Sequence, residues 1–180
     1  MHKSALFRFL ITVMFVVTSL SVGCALRPGT DVGAAKPAYS FDNYTNSDFG
    51  FTVGYPKSWA VTAATAPYNI FRAESKQKLP SMSISVLDSD KVKEQVQEIY
   101  DYYKLTNIQT IEQKEYVLAD GQTKALYTIT RMTHPQVQLI SYSIIFPRNG
   151  KLITVGISTM LGVEDTAYFN SIFQTLTFNK

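Results

Sequence analysis

Between residues 125 and 157, apolar side chains recur at every second position in three consecutive runs. These are Ala125, Tyr127 and Ile129; then Ile140, Tyr142, Ile144 and Phe146; then Ile153, Val155 and Ile157. A period of two puts each set on one face of a strand, with the intervening residues on the other. The joint between the second and third runs is Asn149-Gly150, a pair that tolerates positive φ at both positions and so suits a two-residue hairpin turn. Asp120-Gly121 gives the same signal for the hairpin leading into the set. Such short connections demand antiparallel neighbours, because a parallel crossover needs about a dozen residues or more. The chain is therefore expected to build a mainly antiparallel sheet with one buried face, in an α+β fold.

The flanking segments extend that reading. Phe51, Val53 and Tyr55 alternate in FTVGYP, and Met82, Ile84 and Val86 in SMSISVL, so each predicts a half-buried strand. VTAATA and NIFRAE, on either side of Pro67, read as shorter and weaker strands. In SDKVKEQVQEIYDYYKL the apolar positions Val92, Val96, Ile99, Tyr100 and Tyr103 change to helical spacing, with Lys93, Glu94 and Gln97 opposite and Ser89 placed to cap. A second helix is expected in VEDTAYFNSIFQTLTF, where Tyr168, Phe169, Ile172, Phe173 and Leu176 share a face. Glu164 and Asp165 fall in its first turn, favourably placed for the helix dipole.

The order of these elements, together with FGFTVGYPKSWAV near the start and YFNSIFQTLTF at the close, resembles the PsbP-like family. That family opens on a Gly-Phe strand running to Tyr-Pro and then Trp, matched by Gly50-Phe51, Tyr55-Pro56 and Trp59. Its last helix carries a Phe-x-x-Ile-x-x-Ser-Phe type of pattern, approximated by Phe169, Ile172 and Phe173 with residues 175–178. The resemblance covers about residues 44–179 and implies the Mog1/PsbP α/β/α sandwich around a mainly antiparallel central sheet. Family members from oxygenic photosynthesis help the water-splitting complex retain calcium and chloride, but no residue here carries that role across. The resemblance to bacterial members implies an exported lipoprotein.

The N-terminal region points the same way on its own residues. A short basic start, MHKSALFR, precedes the apolar run FLITVMFVVTSLSV, and Gly23 stands before Cys24, the sole cysteine. That order is the order of an export signal. LSVGC further resembles the lipobox of bacterial lipoprotein precursors, in which the cysteine sulfur receives diacylglycerol and the leader is cut before it. Two alternatives fit the same run: an uncleaved anchor, since residues 9–26 carry no charge and reach the lower limit of a membrane span, and ordinary secretion. The expected organisation is a signal peptide over 1–23, a tether over 24–45 rich in Gly, Pro and polar residues, and a PsbP-like domain over 46–180.

Composition and motifs restrict the chemistry. Without Lys3 and Arg8 of the leader, 15 basic residues face 14 acidic ones, which offers no electrostatic footprint for nucleic acid. A lone cysteine forms no internal disulfide and no Cys-based zinc site. His134, the only histidine after the leader, precedes Pro135 and reads as a loop residue; a general base or lone metal ligand is the sharper alternative. Asp88 and Asp90 could bind a cation or share a proton, but they lack the further oxygen ligands of a calcium loop, and capping a helix explains them. Lys76 and Lys78, after Arg72, form a basic segment that could touch anionic headgroups or simply be solvated. Tyr100, Tyr102 and Tyr103 suggest stacking, but with no basic groove beside them they read as packing. Tyr55 and Trp59 are the candidate ligand or rim residues.

The expectation is thus a non-enzymatic lipoprotein held in the membrane by lipid at Cys24. It would sit on the extracytoplasmic side as an accessory or binding module for an envelope protein or small ligand, without catalytic residues, metal or cofactor. The alternatives are a carrier of an apolar small molecule and a metal-dependent envelope hydrolase using Asp88 or Asp90.

Overall fold

A computed structural model describes residues 39–178. The leader, Cys24 and the tether up to residue 38 lie outside the described residues. The three alternating runs form the centre of the domain as strands β7 (Lys124–His134), β8 (Val137–Arg148) and β9 (Lys151–Met160), all antiparallel. Arg148 pairs with Lys151 across Asn149-Gly150, whose φ values of 47° and 77° meet the demand of the tight turn.

This meander belongs to a seven-stranded sheet. Its order is β3 (Ala60–Val61), β4 (Asn69–Glu74), β5 (Ser81–Asp88), β9, β8, β7 and β6 (Thr106–Val117). A second sheet joins β1 (Phe41–Asn46) and β10 (Thr177–Phe178) to either side of β2 (Phe51–Pro56). Two helices complete the described residues, α1 (Val92–Tyr102) and α2 (Thr166–Phe173).

The alternation predicted from sequence fixes what is buried. The registers align Met82 with Ile157, then Tyr142, then Ile129, and Ile84 with Val155, then Ile144, then Tyr127. Against this apolar face pack Phe51 and Val53 of β2, and Phe169, Ile172 and Phe173 of α2, in one cluster. The Tyr142 ring meets Phe169 at 5.3 Å and Tyr127 meets Phe173 at 6.3 Å. Asp165 caps α2 by accepting the Tyr168 N–H at 2.9 Å.

Several expectations are corrected. The tether does not extend to residue 45, because 41–45 lie in β1, where Phe41 and Tyr44 pack on the core. Helix α2 ends at Phe173, and Leu176 is buried from the turn beyond it. The Thr175 hydroxyl holds that turn, donating to Ile172 O and accepting from Gly54 N–H, each at 2.6 Å. Ser89 does not cap α1: its hydroxyl donates to Gly150 O, and α1 begins beyond it with no side-chain cap. VTAATA contributes only Val61, the second residue of β3.

Candidate functional site

The second face of the large sheet differs in kind from the first. Ser81, Ser83 and Ser85 alternate with the buried apolar residues of β5, and the registers continue them across the sheet. Ser83 stands beside Gly156, then Ser143, then Thr128; Ser81 stands beside Ser158, then Ser141, then Thr130. These two rows make a band of hydroxyls with one glycine, and the next row runs from Ser85 through Thr154 to Ile145 and Leu126. A Cβ on Gly156 would lie 3.2 Å from Ser143 Oγ, so that row is already closed by its own side chains. Ser158 Oγ donates to Ser141 Oγ at 3.2 Å.

Helix α1 is fastened to this face mainly by polar groups. Tyr103 Oη accepts from Arg72 Nη1 at 3.1 Å and from Asn69 Nδ2 at 3.4 Å, while Asn69 Oδ1 accepts from Ser85 Oγ at 2.6 Å. Arg72 also donates through Nε and Nη2 to Glu74 Oε2. Toward the other end of α1, Tyr68 donates to Glu98 at 2.6 Å. Gln95 is only 6% exposed; its Oε1 accepts the Asp88 N–H at 2.7 Å and its Nε2 donates to Asp88 Oδ2 at 3.1 Å. The apolar stripe read from sequence, Val92, Val96, Ile99 and Tyr100, is only half-buried. Burial pushes the Tyr100 phenol up from its ordinary pKa.

The residues singled out from sequence fall apart in space. Trp59, 8% exposed, belongs to the core cluster, and Tyr55 packs on it with its ring 5.3 Å from Phe71. Asp88 forms an ion pair with Lys151, whose hydrogen bond holds its carboxyl below the usual pKa. Asp90 is exposed in the turn before α1. His134 closes β7, and its Nδ1 accepts the Gln136 N–H at 3.3 Å across the turn to β8. Among the tyrosines, Tyr102 bonds Thr65 and Tyr103 bonds Arg72, so they serve different contacts. Lys76 and Lys78 are exposed between β4 and β5. Among the described residues no group of three or more His, Cys, Asp or Glu is placed to hold a metal ion.

Sequence reasoning missed β6, which forms an edge of the large sheet. Ile108, Ile111 and Val117 are exposed along it. Register shifts between Thr106 and Gln109, and between Thr110 and Glu112, interrupt its first half. Bulges of this kind blunt an edge against unwanted pairing. The stretch from Glu112 to Val117 pairs regularly with β7, and among the described residues no strand pairs with its outer side.

No family model matches the sequence, and no curated protein matches it. Among solved structures, the chain is similar to the cyanobacterial PsbP (CyanoP) of Synechocystis sp. PCC 6803, with a TM-score of 0.56 and 14% identity over 82% of this chain and 98% of that one. It is also similar to the Ran-binding protein Mog1p of Saccharomyces cerevisiae, with a TM-score of 0.51 and 5% identity over 78% of this chain and 96% of that one. LpqN of Mycobacterium tuberculosis, a protein involved in cell envelope biogenesis, matches at a TM-score of 0.45 and 13% identity, over 79% and 92% of the two chains. At these identities the likeness is one of fold. The chain has the Mog1/PsbP fold.

Proposed function

We propose that this chain is a lipid-anchored protein of the cell envelope, whose Mog1/PsbP domain stands on the extracytoplasmic side and works by binding a protein partner instead of by catalysis. The observation that carries the reading is the sole cysteine at the end of an apolar leader, in LSVGC. A thioether at Cys24 gives that residue a purpose with no second thiol present. One acyl chain holds only reversibly, so stable anchoring calls for the multi-chain modification such precursors receive.

The binding half of the reading is supported by the regular stretch of β6, an edge strand whose outer side pairs with no other strand among the described residues and is suited to an added strand. Of the two carboxylates singled out, Asp88 is engaged by Lys151 and Gln95. Crosslinking in intact cells with a photoreactive group at Glu115, followed by mass spectrometry, should trap one envelope protein. Crosslinks equally abundant from exposed Gln122 would argue against a partner at this edge.

A second reading, a carrier of an apolar small molecule, draws on the stripe Val92, Val96, Ile99 and Tyr100 of α1, which is only half-buried. Native mass spectrometry of the purified protein separates the two, because a carrier would retain a stoichiometric apolar ligand.

A further inference from the structure

We infer that one end of the domain docks on an anionic lipid surface, so that the anchored protein stands with the strands of its large sheet directed away from the bilayer. The inference rests on the anchored reading above and adds which surface meets the membrane.

The registers assign the loops to two ends. Ser81 lies opposite Ser158, Leu139 opposite Met160, and Thr106 opposite Thr133. The turn 75–80, the turn after His134, the start of β6 and the loop 161–165 therefore share one end. The chain enters the described domain at that same end. Tyr39 packs on Tyr168 of α2 with ring centroids 4.5 Å apart, and Ser40 O accepts the Lys57 N–H at 3.1 Å. Thr166, at the start of α2, bonds Tyr142 in the row next to this end.

Two features there suit a lipid surface. Met160 is 42% exposed and Val163 is 62% exposed, on a loop fixed by Leu161 N–H to Gln138 O at 2.9 Å. At the same end Lys57, Lys76, Lys78 and Lys104 are all exposed, and among the described residues none of the four forms an ion pair. The carboxylates at this end are Asp42, Glu74, Asp101, Glu164 and Asp165; Glu74 is paired with Arg72 and Asp165 is occupied in capping α2. At the opposite end, around the Asn149-Gly150 turn, basic and acidic groups are interleaved: Lys151 is paired with Asp88, Lys91 also lies near Asp88, and Arg148 lies near Asp120. Anionic headgroups would attract the first end, while apolar Met160 and Val163 enter the interface. The 14 residues between Cys24 and Tyr39 reach at most about 50 Å when extended, which keeps the docking end close to the surface and raises its effective concentration there.

The test uses the full-length acylated protein in phosphatidylethanolamine vesicles with or without phosphatidylglycerol. A fluorophore is placed on Val163→Cys or, at the opposite end, on Gln122→Cys, and quenching by spin-labelled lipid is read after flotation. The expected result is strong quenching at residue 163 that requires phosphatidylglycerol, and little at residue 122. Each lysine near an anionic surface contributes about fivefold to binding, so Lys76→Gln with Lys78→Gln should lower the docked-to-undocked ratio more than tenfold. Equal quenching at both ends, or quenching unchanged by the lysine substitutions, would overturn the docking while a floating protein leaves the anchor standing. Failure to float would overturn the anchor and this inference with it.

Discussion

Placing a methyl group on Gly54 tests how the small sheet is locked to α2. Gly54 is a strand residue without positive φ, so replacement by Ala would ordinarily stabilise by about 0.4–1 kcal/mol, through lower entropy of the unfolded chain. The packing predicts the opposite sign. An added Cβ would lie 2.8 Å from Thr175 Oγ1, 3.0 Å from Thr175 Cγ2 and 3.1 Å from Phe41 Cβ. Thr175 cannot swing aside cheaply, because its hydroxyl is held at 2.6 Å by both Gly54 N–H and Ile172 O. Overpacking of this kind costs about 1–3 kcal/mol, so the net effect of Gly54→Ala should be a loss of about 1–2 kcal/mol. For a domain of this size that lowers the midpoint by about 3–6 °C. The assay is thermal unfolding of residues 38–180, repeated with Thr175→Ala. Removing the threonine relieves the clash, so the penalty of Gly54→Ala should largely vanish in that background. A neutral or stabilising Gly54→Ala, or an unchanged penalty without Thr175, would refute the reasoning.

Other predictions follow from the same contacts. Tyr127 is buried in the core, and desolvation pushes its pKa up to about 12 from 10.0. The fold favours its protonated form, so that contribution is complete below pH 10 and is lost as the pH rises through about 12; alkaline unfolding should be visibly shallower in Tyr127→Phe. Asp88, held down by Lys151, has the reverse sign. Its contribution is present above the ordinary carboxylate value of 3.8 and is lost as the pH falls through the lower folded value, so Asp88→Asn should flatten the acid limb of stability against pH. Tyr103→Phe removes the acceptor of Arg72 Nη1 and Asn69 Nδ2 and should cost about 1–2 kcal/mol in urea unfolding. Amide exchange in α1 should quicken more than in β8.

The parts of this fold that were legible are those where burial writes a period into the sequence. β7, β8 and β9 lie in the middle of the large sheet, so their inward residues must be apolar, and the turn at Asn149-Gly150 declares their direction. β6 sits at an edge with both faces largely exposed, and Glu112, Lys114 and Glu115 satisfy it as well as apolar residues would. β1 escaped because its packed residues Phe41 and Tyr44 are three apart, a spacing that two-residue alternation cannot show. β10 has two residues, too few for any period.

The site was less legible for a related reason. Ser81, Ser83 and Ser85 are unremarkable in sequence, and their neighbours Gly156, Ser143 and Thr128 become one surface only when the strands are in register. Gln95 has no place in the apolar stripe read from α1, yet it is buried and its amide serves both the backbone and the carboxylate of Asp88. Trp59 and Tyr55 drew notice as a ligand rim, and the structure puts both to use in the core and at its margin.

Mass spectrometry of the N-terminal peptide, from protein extracted out of native membranes, tests the central claim most directly. The mature chain should start at Cys24 and carry diacylglycerol on its sulfur. A soluble product retaining Met1 to Gly23, with a free thiol at Cys24, would contradict it.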